Sequence, residues 1–153
     1  MRNMAWRLTT DDGFTLEQVP AEDIRLAYQW IESDLYEITE RSYADWIPAD
    51  IYSSLKTGTA TLSMGYTTTQ QYVGFLVTCL IHDAGGRPTL FVWAVHQSHK
   101  HNYKEQVFDF LEQIARELGA ESIEFHSSRP GWERVASRQG FEMVAKIYKR
   151  DLI

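Results

Sequence analysis

Apolar and polar positions along the chain fall into two rhythms that alternate. Phe14-Thr15-Leu16-Glu17-Gln18-Val19 alternates like a short strand. Pro20-Ala21-Glu22-Asp23 then opens a helix, because proline suits a first turn and acidic side chains suit the positive end of the helix dipole. Ile24, Ala27, Tyr28, Ile31, Leu35 and Ile38 recur at helical spacing and give that helix one apolar face. A shorter helix is predicted after Pro48, with Ile51, Tyr52 and Leu55 turned inward and Gly58 as its stop.

The rhythm shortens after Gly58. Residues 59–66 alternate and are rich in strand formers, and Tyr72 to His82 is a nearly continuous apolar run of strand length. Asp83-Ala84-Gly85-Gly86-Arg87-Pro88 is a turn, and Thr89 to Val95 a further strand. These three strands predict an antiparallel meander. Lys104 to Leu118 is the clearest helix: Val107, Phe108, Leu111, Ile114, Ala115 and Leu118 form one stripe, and Gly119 ends it. Residues 121–126 alternate again. Pro130 starts a last helix, with Trp132, Val135 and Ala136 inward and Gly140 at its end. Phe141 to Leu152 is expected to form a final strand or hairpin. The first twelve residues are weakly patterned and read as a loose arm.

The order predicts an α/β (α+β) sandwich with a mixed, mostly antiparallel sheet, not a doubly wound nucleotide fold. No repeat, low-complexity tract or linker divides the 153 residues, so one domain over 1–153 is expected. With 44% hydrophobic and 24% charged residues, the composition is that of a chain that buries a core. The net charge of -6 speaks against general nucleic-acid binding, which needs a basic footprint. No stretch is long enough to span a bilayer and no apolar leader opens the chain, so the expected compartment is the cytoplasm. Cys79 lies inside an apolar run and reads as a core thiol.

Two stretches give the ordered set a family likeness: Val92 to Gly119, closing with Ala115-Arg116-Glu117-Leu118-Gly119-Ala120-Glu121-Ser122-Ile123, and Trp132 to Phe141, ending in Gly140-Phe141-Glu142. The chain resembles the GNAT family of acyl-CoA-dependent N-acyltransferases from about Phe14 to Leu152. The resemblance implies an acetyl-CoA site whose pyrophosphate is held by a loop of pattern Q/R-x-x-G-x-G/A, where bare main chain lets phosphate approach. The matching positions are His99, Lys100, His101, Asn102, Tyr103 and Lys104, with Asn102 and Lys104 where the glycines belong. No glycine lies between Gly86 and Gly119. The family's frequent general acid, a tyrosine, aligns with Ala136.

The loop thus looks eroded. The basic group His96, His99, Lys100, His101 and Lys104 reads either as a side-chain anion site or as a solvated loop, and a zinc site from His96, His99 and His101 lacks any supporting motif. Glu124 and His126, two apart on one strand, are the candidate general bases of an active member; otherwise they are an exposed strand face. Trp132 reads as a core or cleft-filling residue. Trp6, Tyr43 and Trp46 either mark an interface or cover the first helices. Two functions follow. One is a non-catalytic module that binds a protein partner (a virion component or another copy of itself) without a cofactor, similar to degenerate GNAT-like domains of short-tailed phage proteins through its Arg129-Pro130-Gly131-Trp132 turn. The other is an acetyl-CoA-dependent N-acetyltransferase for a small amine or a protein amine. The first adds the virion interior to the expected locations.

Overall fold

A computed structural model describes residues 6–98 and 102–153. Among these residues six strands form one sheet in the order in which they occur: β1 (Arg7–Thr9), β2 (Thr15–Gln18), β3 (Thr61–Tyr66), β4 (Tyr72–His82), β5 (Pro88–Gln97) and β6 (Ser122–Phe125). Four neighbouring pairs are antiparallel and only β5 and β6 run parallel. The helices are α1 (Ile24–Arg41), α2 (Pro48–Thr57), α3 (Lys104–Glu117) and α4 (Gly131–Arg138). This is the mixed, mostly antiparallel sandwich that the order of elements predicts.

The long β4 divides the core. It sends Phe75 and Val77 into a cluster with Ile24, Ile31 and Leu35 of α1 and Ile51 and Leu55 of α2. Leu76 goes to the other face, among Leu90, Val92 and the α3 stripe Phe110, Leu111, Ile114 and Ala115. Ile31 and Leu35 are fully buried, and each such side chain stabilises the fold by about 1.5–3 kcal/mol.

Local chemistry sets the ends of the helices. At α2 the Ile47 N–H donates to the Asp50 carboxylate, 2.9 Å away, and Pro48 occupies the first turn. Gly58 ends it at φ 80°, a left-handed value that a residue with a Cβ resists.

Two expectations are corrected at the ends of the chain. Part of the supposed N-terminal arm is strand β1: Leu8 pairs with Leu16, and Trp6 packs half-buried on the α3 side of the core. Residues 1–5 lie outside the described residues. No strand or hairpin forms over 141–152, where the chain beyond Phe141 is exposed throughout and pairs with no strand.

Candidate functional site

The sheet opens where its parallel pair ends. β6 is hydrogen-bonded to β5 only from Thr89↔Ser122 to Val92↔Phe125, while β5 runs on to Gln97. Just beyond Val92, β5 carries an extra residue. Val77 pairs with Ala94 and Thr78 with Val92, which leaves Trp93 opposite nothing on β4. Such a bulge bends its strand and leaves the extra residue outside the ladder. The half-buried Trp93 ring meets Trp46, edge to face, at 6.4 Å. A wedge therefore separates residues 93–97 from the chain that follows β6, with the starts of α3 and α4 at its mouth.

The start of α3 decides what that mouth can hold. A helix start offers unpaired N–H groups to an anion only where the preceding chain lets the anion near. Here Tyr103 precedes the helix with its ring stacked on Phe14, centroids 4.0 Å apart and planes 8° apart. The Lys104 N–H reaches Asn102 Oδ1 at a long 3.5 Å. The Lys104 amine lies 5.8 Å above the Trp132 ring, so its side chain spans from α3 to α4. Beneath it, Trp132 packs edge-on against Phe125 at 5.7 Å and Phe108 at 6.4 Å, and Phe141 joins both phenylalanines. Asn102 and Lys104 thus carry side chains at the two positions where the family pattern has glycine. His99, Lys100 and His101 lie outside the described residues, and the anion and zinc readings that use them go with them.

On the α1 face of the wedge stands a pair that spacing alone does not reveal. His96 Nε2 lies 3.6 Å from Asp34 Oδ1, with both side chains about three-quarters buried (27% and 23% exposed). His96 stacks on Phe75 at 5.9 Å. The ring is close because Gly74 lets the strands approach: a Cβ there would sit 2.2 Å from the His96 carbonyl oxygen. The Tyr43 N–H donates to Ser128 Oγ at 3.1 Å, which ties the α1–α2 loop to the loop after β6.

Further along α1 a groove of about 540 Å³ runs between Asp23, Trp30, Glu17, Tyr66 and Tyr72. The Tyr72 hydroxyl is buried with no hydrogen-bond partner among the described residues. Burial, with the Asp34 carboxylate second, pushes its pKa well up.

Glu124 and His126 come together at the outer margin of the sheet. Their side chains are 3.5 Å apart and 41% and 54% exposed. Glu124 is in register with Phe91, one residue before the strands part, and the His126 ring sits edge-on to Phe91 at 5.0 Å. Ala136 is half-buried within α4. Trp132 fills the cleft, as the sequence implies. Of the three aromatics that could mark an interface, only Tyr43 is exposed; Trp6 and Trp46 are half-buried, whereas Trp30 is 65% exposed. Cys79 is half-buried rather than enclosed, and burial raises its thiol pKa. No group of three His, Cys, Asp or Glu that could hold a metal occurs among the described residues, and no helix among them is long and apolar enough to cross a membrane.

No protein-family model matches the chain, and no curated protein matches it by sequence. Solved structures do. A predicted acetyltransferase from Clostridium acetobutylicum, solved with acetyl-CoA, superposes with a TM-score of 0.66 at 14% identity, over 91% of this chain and 96% of that one. A Trypanosoma brucei acetyltransferase matches with a TM-score of 0.61 at 16% identity, over 91% and 99%. An aminoglycoside acetyltransferase from an uncultured soil sample, in complex with trehalose, matches at 0.64 and 12%, over 92% and 97%. The fold is that of the GNAT-type acetyltransferases.

Proposed function

We propose that this chain is a GNAT-fold module that binds a protein partner and carries out no acyl transfer. One observation carries the reading: Lys104 crosses the wedge mouth onto Trp132, at the point where a diphosphate would need bare main chain. The aromatic group of Phe108, Phe125, Trp132 and Phe141 behind it supports the same reading, since it fills the space between α3, β6 and α4. The absence of glycine between Gly86 and Gly119 adds to it. The reading takes 1–153 as one domain, without a cofactor, in the cytoplasm or inside a phage particle. The virion role rests on the likeness of the Arg129–Trp132 turn to phage proteins. Its presence or absence in purified particles tests that role.

Thermal melting with acetyl-CoA tests the main reading. A ligand that binds the folded chain alone raises its melting temperature by mass action. No change is expected up to saturating acetyl-CoA. A saturable rise overturns the proposal.

The N-acetyltransferase reading keeps one observation in its favour. The Trp93 bulge and His96, which Asp34 of α1 meets, lie on the freed half of β5, where a polar group facing an acceptor amine would be useful. On that reading His96, oriented by Asp34, competes with Glu124 and His126 for the role of proton acceptor, and the phosphates depend on the side chains of His99, Lys100, His101 and Lys104. An acetyl-transfer assay against a panel of amines separates the two readings. Should activity appear, loss on His96→Ala but not on Glu124→Ala would assign the base.

A further inference from the structure

The end of the chain carries a second message, independent of whether any acyl group is handled. Phe141 is seated firmly: its N–H donates to the Ala136 carbonyl at 2.9 Å, and its ring touches Phe125 at 5.1 Å and Phe108 at 5.6 Å. From Glu142 onward the chain leaves the body. Met143 is 66% exposed, Val144 81%, Ile147 63%, Tyr148 88% and Leu152 90%. The ion pair recorded for this stretch, Lys149 with Asp151, lies within it. A run of large apolar side chains in water is not what a finished surface shows.

The run is written as a strand. Met143, Ala145 and Ile147 would fall on one side, Glu142, Val144, Lys146 and Tyr148 on the other. A receptor, shorter than the run, stands open on the same molecule. Among the described residues β6 pairs with β5 alone, so its outer edge has no strand beside it. On the α3 side of that edge Ile123 and Phe125 are only half-covered and Leu118 is exposed. On the other side stands Glu124. The charges match. Residues 142–153 hold three cations, Lys146, Lys149 and Arg150, against two acids, within a chain of net charge -6. In the strand alternation Lys146 lies on the side that would face Glu124.

We propose that residues 142–153 of one chain add a seventh strand to the sheet of a second copy, beside its β6, and that the two copies exchange these segments reciprocally. Each chain then provides one strand and receives one. A closed two-fold pair is the arrangement that satisfies both. Main-chain pairing at an open edge gives the affinity, and alternate side chains give the register.

Sedimentation and light scattering of the full chain should give twice the mass of one 17.8 kDa chain. Ile147→Pro, which removes a strand N–H and an apolar contact, should give a folded monomer by circular dichroism. Cross-linking keeps the proposal testable if that variant does not fold. In a Cys79→Ser background, Glu124→Cys is placed in one tagged copy and Val144→Cys, Lys146→Cys or Tyr148→Cys in a differently tagged copy. After co-expression, at least one pairing should give a disulfide between the two tags. A monomer at high concentration overturns the proposal. So does a disulfide that forms within a single chain, when both substitutions are in it, and never between chains: the segment would then fold back on its own β6.

Discussion

Lys104 lies over Trp132, with its amine 5.8 Å from the ring centroid, and thereby joins the start of α3 to the start of α4 across the mouth of the wedge. A contact of this kind is worth about 0.5–1 kcal/mol at a partly exposed site. On the proposed reading its larger effect is steric, since a long side chain then stands where a phosphate would have to meet the main chain.

If side-chain bulk is what keeps the diphosphate out, removing it should let the cofactor in. The double variant Asn102→Gly, Lys104→Gly is expected to gain a saturable rise in melting temperature with acetyl-CoA that the parent lacks. Glycine at the helix start should lower basal stability by about 1 kcal/mol. Melting curves with and without acetyl-CoA read both effects. No gain in the variant would show that the aromatic filling, not the loop, is the barrier.

Gly74 and Phe75 are the second place where substitution is decisive. A methyl group at 74 would stand 2.2 Å from the His96 carbonyl oxygen, which is backbone and cannot swing away. Gly74→Ala should therefore force β4 and β5 apart and destabilise by at least ~1–3 kcal/mol, the usual scale of overpacking. Phe75→Ala leaves a hole between α1, α2 and the sheet, and should lower stability by about 3–5 kcal/mol. Urea midpoints at constant slope measure both.

High pH should unfold the protein for an identifiable reason. Burial, helped by the Glu32 carboxylate, pushes the Tyr28 hydroxyl up to about 12. Burial also raises Tyr66 and Tyr72. In the unfolded chain these phenols ionise near pH ~10, so above it the unfolded state gives up protons that the folded state keeps. Stability is thus complete below about pH 10 and falls as pH rises toward the folded values. Phenolate absorbance should show these three among the eight tyrosines titrating late. Tyr72→Phe should raise stability by about 1 kcal/mol and weaken the alkaline loss, since its hydroxyl is buried with no partner among the described residues.

Cys79 should be a poor nucleophile. Burial raises its thiol pKa, and the thiolate is the reactive form. Labelling with a disulfide reagent at mildly alkaline pH should run much slower in the native chain than in urea. Equal rates would contradict the burial that the structure gives it.

Much of this architecture was legible as pattern. The α1 and α3 faces, the three-strand meander and the glycine stops at 58 and 119 follow from spacing and local chemistry, which is where sequence speaks most directly. β1 was not, because Arg7-Leu8-Thr9 is too short to show a period and becomes a strand only through its pairing with Thr15–Glu17. Asp34 and His96 meet through the packing of α1 on β5, a contact between distant segments that no local rhythm encodes. The Trp93 bulge sits inside a smooth apolar run and shows only as a slip in register. At 141–152 the alternation was visible, but an alternating pattern shows only that a segment can pair, not which edge it pairs with, and among the described residues it pairs with none. The wedge mouth was readable in a negative sense: the missing glycines were plain, while the place where the Lys104 side chain comes to rest was not.

The opposite border of the sheet sets a limit on any such assembly. β1 is a three-residue stub with Arg7 and Thr9 turned to solvent. A border that brief, and charged, is a poor template for another chain. Among the described residues strand addition then has one usable edge per molecule, so the proposed association stops at a pair, and the apolar residues after Phe141 are used up without seeding filaments.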